Sequence, residues 1–304
     1  TVVILGDAVQ IAVVEGVESI LGVCEHLYRP VRTLRWHYRS QHESLIAFSN
    51  SQFYEGRLVV FPAPVKRNSS LGVNHRFVKD GVYVDRRNIP EAERVVDAVL
   101  EHMKQRPTES LGVVTLNQTQ RELIDDIFEK RSKGNQAVAE FLDFHKKAGW
   151  EFFVKNLENV QGDERDVIYI STTFGRPPGT NVVRKNFGPI NRPDGWRRLN
   201  VLFTRARRRL ELFTSLRSSD VMSPEERVSL GRKALHDYLV YAKTGLLPAV
   251  AGQRTGRDPD SDFEIAVARA LEQAGFQVEP QVGVAGYFID IGVKHASRPG
   301  EYLA

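Results

Sequence analysis

Two stretches decide how this chain reads: LENVQGDERDVIYIS at Leu157–Ser171 and RRLNVLFTRARRR at Arg197–Arg209. In the first, polar Gln161, Gly162 and Glu164 stand on a loop just ahead of Val167–Ser171. That unbroken run is of the kind buried on both faces of a parallel sheet. A loop in this position is either a plain surface turn, for which Gly162 would suffice, or a ligand-facing loop on a rigid support. In the second stretch, six arginines interleave with apolar residues. A solvated basic face accounts for them. Yet guanidiniums beside buried apolar residues are costly to leave unpaired, and phosphates or carboxylates are their natural partners.

Working outward, strands alternate with helices. Val2–Leu5 reads as a short buried strand ending in Gly6-Asp7, and Glu43–Tyr54 as a helix. Glu91–Gln105 is the clearest helix, with Ala92, Val95, Val96, Val99 and Met103 on one face. Leu111–Leu116 reads as a buried strand, and Leu123, Ile124, Ile127 and Phe128 mark the helix after it. The pattern predicts a helix over Trp196–Arg208 and a strand over Leu210–Phe213. Ser223-Pro224-Glu225-Glu226 has the spacing of a capping box and predicts a helix from Ser223 to about Lys243. Leu247–Pro259 carries Pro, Gly and charge without periodicity and reads as a linker. A helix over Asp262–Ala274 and strands over Gln277–Val282 and Tyr287–Val293 follow. The order is α/β with mostly parallel strands, then the opening of a smaller α/β module.

Composition narrows the classes. The chain has 304 residues, 41% hydrophobic and 26% charged, with a net charge of +4. That length exceeds one ordinary core and suggests two domains, with a fragment of a third. No apolar run reaches the roughly eighteen residues of a membrane helix, so no membrane partner is expected. Cys24 is the only cysteine, which excludes disulfide frameworks and cysteine-built zinc or iron–sulfur sites. Both ends read as cuts through folded elements, as in a piece of a longer protein.

Together the two stretches resemble superfamily 1 helicases, in the branch related to the nonsense-decay RNA helicase. In that branch motif V has a Gln-Gly-x-Glu-x-Asp core before a strand, matched by Gln161–Asp166, and motif VI reads Leu-Asn-Val-x-x-Thr-Arg-Ala-Arg, matched by Leu199–Arg207. Upstream, Gly6-Asp7-Ala8-Val9-Gln10 resembles motif III, and Tyr38-Arg39 with Phe53-Tyr54 behind it resembles motif IV. The resemblance implies a RecA-like parallel sheet flanked by helices, the second motor domain of a P-loop NTPase. It implies that Arg39 and Arg205 are arginine fingers for the γ-phosphate of ATP and that Gln10 senses that phosphate. Tyr38 would stack on adenine, Gln161, Gly162 and Glu164 would bind nucleotide with Glu164 on the ribose, and Thr172 and Thr173 would touch a nucleic-acid backbone. Arg207 and Arg208, in excess of what one ATP site uses, are further candidates for phosphate contact, whereas Arg209 abuts the strand and reads as structural. Motif III departs from its family pattern, with Ala8-Val9 where Pro-Lys is usual. No Gly-x-x-x-x-Gly-Lys-Ser/Thr occurs, so the phosphate loop and Mg²⁺ carboxylates are expected in an upstream RecA-like domain, and the chain alone is expected to be inactive. Implied partners are single-stranded or duplex DNA, or RNA, in the cytoplasm.

Residues 261–304 resemble the start of a nuclease domain of the very-short-patch-repair and restriction-endonuclease type. There Glu264, on the helix, and Asp290, between apolar residues on a strand, would hold a divalent metal, or Asp290 would be a hydrogen-bonded structural residue. The implied division is 1–30 as the tail of a first RecA-like domain, 31–246 as the second, 247–260 as linker and 261–304 as the truncated nuclease-like module. His37 and His42 flank the Tyr-Arg pair without a third ligand and read as structural or surface residues. The competing reading is a non-catalytic module that binds nucleic acid or protein on a helicase-like scaffold. Keeping two arginines beside Gln161 and Glu164 favours the motor.

Overall fold

The computed structural model describes Cys24, Tyr28 and residues 35–65, 67–223, 225–247, 261–284 and 287–303. Val2–Leu5, Gly6–Gln10 and the linker beyond Leu247 therefore lie outside the described residues. The chain divides into two compact units, 1–35 and 36–304, and residues 261–303 fall within the second.

In chain order the second unit opens with β1 (Trp36–His37), α1 (Ser44–Phe53), β2 (Val59–Val60) and β3 (Gly72–Phe77). Then come α2 (Ile89–Gln105), β4 (Leu111–Thr115), α3 (Gln118–Ser132), α4 (Gln136–Lys147), β5 (Phe153–Asn156) and β6 (Arg165–Ser171). After a 3₁₀ turn at Gly188–Asn191 follow α5 (Gly195–Phe203), β7 (Ala206–Thr214), α6 (Ser218–Val221) and α7 (Leu230–Thr244). The last elements are α8 (Asp262–Gln273), β8 (Val278–Val284) and β9 (Tyr287–Val293).

Five strands form one parallel sheet in the order β3-β7-β6-β4-β5. Strand β6 has neighbours on both edges: Ile168 lies opposite Gly112 and Leu210, and Ile170 opposite Val114 and Leu212. Helices cover both faces, which is why β6 reads as a continuous apolar run. One layer packs Phe48 of α1, Leu199 and Phe203 of α5 and Tyr238 of α7 against Ile168, Ile170, Leu210 and Leu212. The Phe203 and Tyr238 rings stack there at 3.5 Å. The other layer packs Val95, Val99 and Met103 of α2, Ile124 of α3 and Phe141 of α4 on Val113, Val167 and Tyr169. Each such side chain contributes about 1.5–3 kcal/mol by leaving water. This is the RecA-like architecture of a parallel sheet between helical layers.

Two elements differ from their sequence reading. The helix expected to reach Arg208 ends at Phe203, and Ala206–Thr214 is strand. Strand β7 is hydrogen-bonded on both edges, to β3 and to β6, and that pairing overrides the helical propensity of Arg and Leu. A helix running to Arg208 would have put Arg198 with Arg205, and Arg197 with Arg208, on shared faces; the strand from Ala206 removes that arrangement. The helix expected at Ser223 begins instead at Leu230, where the Ser229 side chain accepts from the Arg232 N–H. The capping-box acid Glu226 pairs with Lys185 at 2.6 Å and Arg232 at 2.8 Å.

At the C-terminal side, β8 and β9 form an antiparallel hairpin. Gln281 of β8 donates to Glu264 of α8 at 3.0 Å, and the Tyr302 N–H donates to the Pro64 carbonyl at 2.9 Å.

Gly81 shows how tightly the carboxyl end of the sheet is built. A Cβ there would lie 1.8 Å from Ser215 Oγ. Gly81→Ala is expected to destabilise the fold by about 1–3 kcal/mol through overpacking. An unchanged urea midpoint would show that Ser215 swings aside freely.

Candidate nucleotide-facing site

Three segments meet at the amino ends of β6 and β7. Glu164 immediately precedes β6, Arg205 immediately precedes β7, and the Arg165 N–H donates to the Arg205 carbonyl at 3.3 Å. The segment after β1 joins them, because the Gln41 N–H donates to the Arg207 carbonyl at 2.7 Å. This brings Arg39 to Glu164, with Nε 2.6 Å from Oε2 and the side chains 36% and 30% exposed. Arg205 is aimed by its own surroundings. Its Nε donates to the Val201 carbonyl at 2.8 Å and its Nη1 to the Asp163 carbonyl at 3.4 Å.

The electrostatics are unbalanced. Burial holds the Arg205 pKa below its ordinary value, and the neighbouring Arg39 charge lowers it further, against the negative charges of Glu164 and Asp163. Asp163 is already engaged by Lys155 at 2.6 Å. Arg39 pairs with Glu164, while Arg205 feels that carboxylate only as a neighbouring charge, and the space in front of the two guanidiniums favours an anion. Gln161 and Gly162 are exposed on the loop leading to Glu164, and the φ of +91° at Gly162 is one that favours glycine. Tyr38 is 91% exposed. His37 is half-buried, donor or acceptor to Ser40 Oγ at 2.8 Å, and burial with Arg39 lowers its pKa to about 4. It is neutral at physiological pH.

The other expected residues sit elsewhere. Gln10 lies outside the described residues. Thr172 and Thr173 are completely buried, which departs from the expectation that they face a nucleic acid. The Thr172 hydroxyl donates to Thr214 Oγ1 at 2.9 Å, and Thr173, with φ +67°, gives its N–H to Glu91. Arg207 lies over the Trp150 ring at 5.4 Å with Asp166 at 3.9 Å, and Arg208 pairs with Glu109 at 3.4 Å. Arg209 is buried and bonded to Ser69, His102 and Glu211, a structural role. Arg198 pairs with Asp194 at 2.5 Å. Asp290 is exposed, so the desolvation argument for a metal there does not hold. Glu264 accepts from Ser261 Oγ, its helix cap, at 2.9 Å. Among the described residues no three His, Cys, Asp or Glu side chains cluster as metal ligands.

Sequence reading missed the polar network at the opposite, carboxyl edge of the sheet. Glu91, wholly buried, accepts from Ser171 Oγ at 2.7 Å, the Thr173 N–H at 2.6 Å, and the N–H and hydroxyl of Ser215 at 3.1 and 3.0 Å. Asn88 caps α2 and donates to the Thr173 carbonyl and to Ser215 Oγ. The Asn88-x-x-Glu91 spacing is the signal that could have found it, and a reading of Glu91 only as the first residue of a helix leaves it unused. A cavity of about 730 Å³ lies beside β3, floored by Glu211 between Arg76 at 2.8 Å and Arg209 at 3.4 Å. Arg39, Glu164 and Arg205 do not line it.

A family model described as AAA domain matches residues 18–216. A Mycoplasma pneumoniae protein described as an uncharacterized ATP-dependent helicase MG140 homolog is 37% identical over 230 residues, 74% of this chain and 20% of its own length. The Mycoplasma genitalium protein described as uncharacterized ATP-dependent helicase MG140 is 35% identical over 290 residues, 89% of this chain and 24% of its own. The chain thus spans about a fifth to a quarter of these relatives. A solved structure described as the C-terminal domain of a possible DNA helicase from Lactobacillus plantarum WCFS1 is similar at 14% identity and TM-score 0.33, covering 58% of this chain and 86% of that one. Matched by the family's model over well more than half of its length, the chain belongs to the AAA domain family.

Proposed function

We propose that this chain is the C-terminal motor portion of an ATP-dependent helicase or translocase, completed by an upstream RecA-like domain that carries the phosphate loop. The observation that carries the reading is the convergence of two guanidiniums, Arg39 paired with Glu164 and Arg205 beside them, at the partly exposed amino ends of β6 and β7. Phosphoryl transfer relies on positioning and charge neutralisation, and arginines supplied from a second domain are a recurrent means to both. The donor set fits a nucleotide: two cationic forks for phosphate, an exposed Tyr38 ring for a base and Glu164 for a ribose hydroxyl. ATP with Mg²⁺ supplies the transferable phosphoryl group. In this proposal Arg39 releases Glu164 and turns to the phosphate, while the Val201 and Asp163 carbonyls keep Arg205 oriented. Gln10 belongs to the same proposal as the group that senses that phosphate.

The nucleic-acid partner, DNA or RNA, and a cytoplasmic location belong to the proposal too. No helix among the described residues is long and apolar enough to cross a membrane. Residues 261–304 are proposed as the opening of a nuclease-like module. The tie between Gln281 and Glu264 joins its helix to its hairpin, and Glu264 and Asp290 enter the proposal as its divalent-metal ligands.

The 304-residue chain alone is expected to turn over no ATP, with or without single-stranded nucleic acid, because it has no phosphate-cradling Gly-Lys loop. Nucleic-acid-stimulated turnover by the purified chain would overturn this account. The scaffold alternative predicts instead that the complete protein, P-loop included, tolerates loss of either arginine.

A further inference from the structure

The nucleotide-facing cluster lies at the amino ends of β6 and β7. In open α/β sheets ligands commonly sit outside the carboxyl ends. Those ends lie some 20 Å away across the seven residues of β6, and they carry a built feature of their own. Between β3 and α2 the chain turns back in a tight hairpin, with the Val84 N–H donating to the Arg87 carbonyl at 2.9 Å and the Arg87 N–H to the Val84 carbonyl at 2.8 Å. Both central residues have positive φ, 49° at Asp85 and 63° at Arg86. This is the two-residue turn in which glycine is strongly preferred at the second position. Arginine stands there instead.

The strained turn is held from three sides. Asn117, the cap of α3, donates from Nδ2 to the Arg86 carbonyl at 3.1 Å. The Tyr83 N–H donates to the Arg176 carbonyl at 3.0 Å, and the Tyr83 ring packs on Phe174 at 5.5 Å. Asn88, directly after the turn, is fixed by Gln120 and Ser215. Nearby cations are neutralised: Arg94 by Asp80, Arg121 by Asp125 and Arg176 by Asp220. Arg86 and Arg87 are exposed, and neither forms an ion pair among the described residues. Only Asp85 offsets them, which leaves the turn with a net positive charge.

We infer that the Val84–Arg87 hairpin is a contact site for the phosphodiester backbone of a single-stranded nucleic acid, with Arg86 and Arg87 as the phosphate ligands. The inference rests on the motor reading for its partner and extends it to a second edge of the sheet. Two unpaired guanidiniums on a rigid, strained turn suit a partner that presents anions at regular intervals, and such contacts carry little sequence preference.

The test uses fluorescent oligothymidylate and oligouridylate with the complete chain, titrated between about 50 and 200 mM salt. Arg86→Gly with Arg87→Gln removes both charges and relieves the backbone strain, so its melting temperature should equal or exceed that of the unaltered protein. Its plot of log affinity against log salt should be shallower by about 1.4, from about 0.7 per lost single-strand phosphate contact. Arg86→Lys with Arg87→Lys retains the charges and should keep the original slope. If the first variant folds poorly, Arg87→Gln alone removes one charge and should flatten the slope by about 0.7. A binding slope unchanged in the charge-removing variant overturns the inference and leaves the motor reading standing. If the unaltered chain binds neither oligonucleotide, the nucleic-acid reading falls and this inference with it. A smaller slope for one polymer alone identifies DNA or RNA as the physiological strand.

Discussion

Replacing Arg205 by alanine in the complete protein is expected to lower nucleic-acid-stimulated ATP turnover by about 10³-fold or more, with nucleotide affinity changed far less. The expectation follows from how the side chain is held. Its Nε and Nη1 are committed to backbone carbonyls of Val201 and Asp163 and its Nη2 to Thr204 Oγ1 at 3.2 Å, which fixes the plane of the fork and leaves the second N–H of each terminal nitrogen to reach outward. A group so oriented costs little reorganisation when negative charge develops in front of it. Arg205→Lys is the informative companion. It keeps the charge and loses the planar fork, so it should recover only a small part of the rate. Truncation also takes the Arg205 donor from the Asp163 carbonyl, a loss of about 1 kcal/mol, whereas the Val201 carbonyl keeps the Thr204 N–H and hydroxyl. Urea midpoints for both variants therefore accompany the kinetics. Equal turnover by Arg205→Ala and the unaltered protein, at matched stability, would remove Arg205 from the site. A rise in KM with kcat intact would assign it to ground-state nucleotide binding instead.

What could be read from the sequence follows from the range of the forces involved. Strand β6, helix α2 and strand β4 were legible because their burial is written in local periodicity, and the structure places Val95, Val99 and Val167 inside as that periodicity requires. The pairing of Arg39 with Glu164 spans 125 positions. The motif resemblance put both residues at one nucleotide site, Arg39 for the phosphate and Glu164 for the ribose, and gave no signal that they would pair. Strand β7 was misread in its first residues because Arg207–Arg209 pair with partners remote in sequence, and no local signal reports a neighbouring strand. Thr172 and Thr173 follow a buried strand and are small and polar, which suits a ligand contact and a buried cap equally. Glu91 resolved that ambiguity, and its reach across three loop ends is a tertiary fact. The hairpin at Val84–Arg87 was hidden for a different reason: Asp-Arg is a poor sequence for its turn, so strain there could be seen only in the backbone itself.

Glu91→Gln is expected to lower stability by about 1–3 kcal/mol near neutral pH, a large effect for a change of one atom. The groups around the carboxylate explain why. Oε1 accepts from Ser171 Oγ and the Thr173 N–H, and Oε2 accepts from the N–H and hydroxyl of Ser215. Whichever way a glutamine amide turns, its NH₂ meets a backbone N–H. Burial works in the opposite direction, raising the Glu91 pKa from 4.5 to about 7 against the pull of those same donors. A folded-state pKa above the unfolded one means that the carboxyl's protonated form favours folding. That contribution is full below pH 4.5 and is lost as pH rises through 7, and the shift corresponds to about 3 kcal/mol between those limits. Glutamine cannot titrate. The stability difference between the two proteins, from urea unfolding at a series of pH values, should therefore narrow as pH rises from 4.5 to 7. Beyond that it should level off, with the donors still favouring the carboxylate over the amide. A difference independent of pH would show that Glu91 stays ionised throughout, its hydrogen-bond donors outweighing its burial.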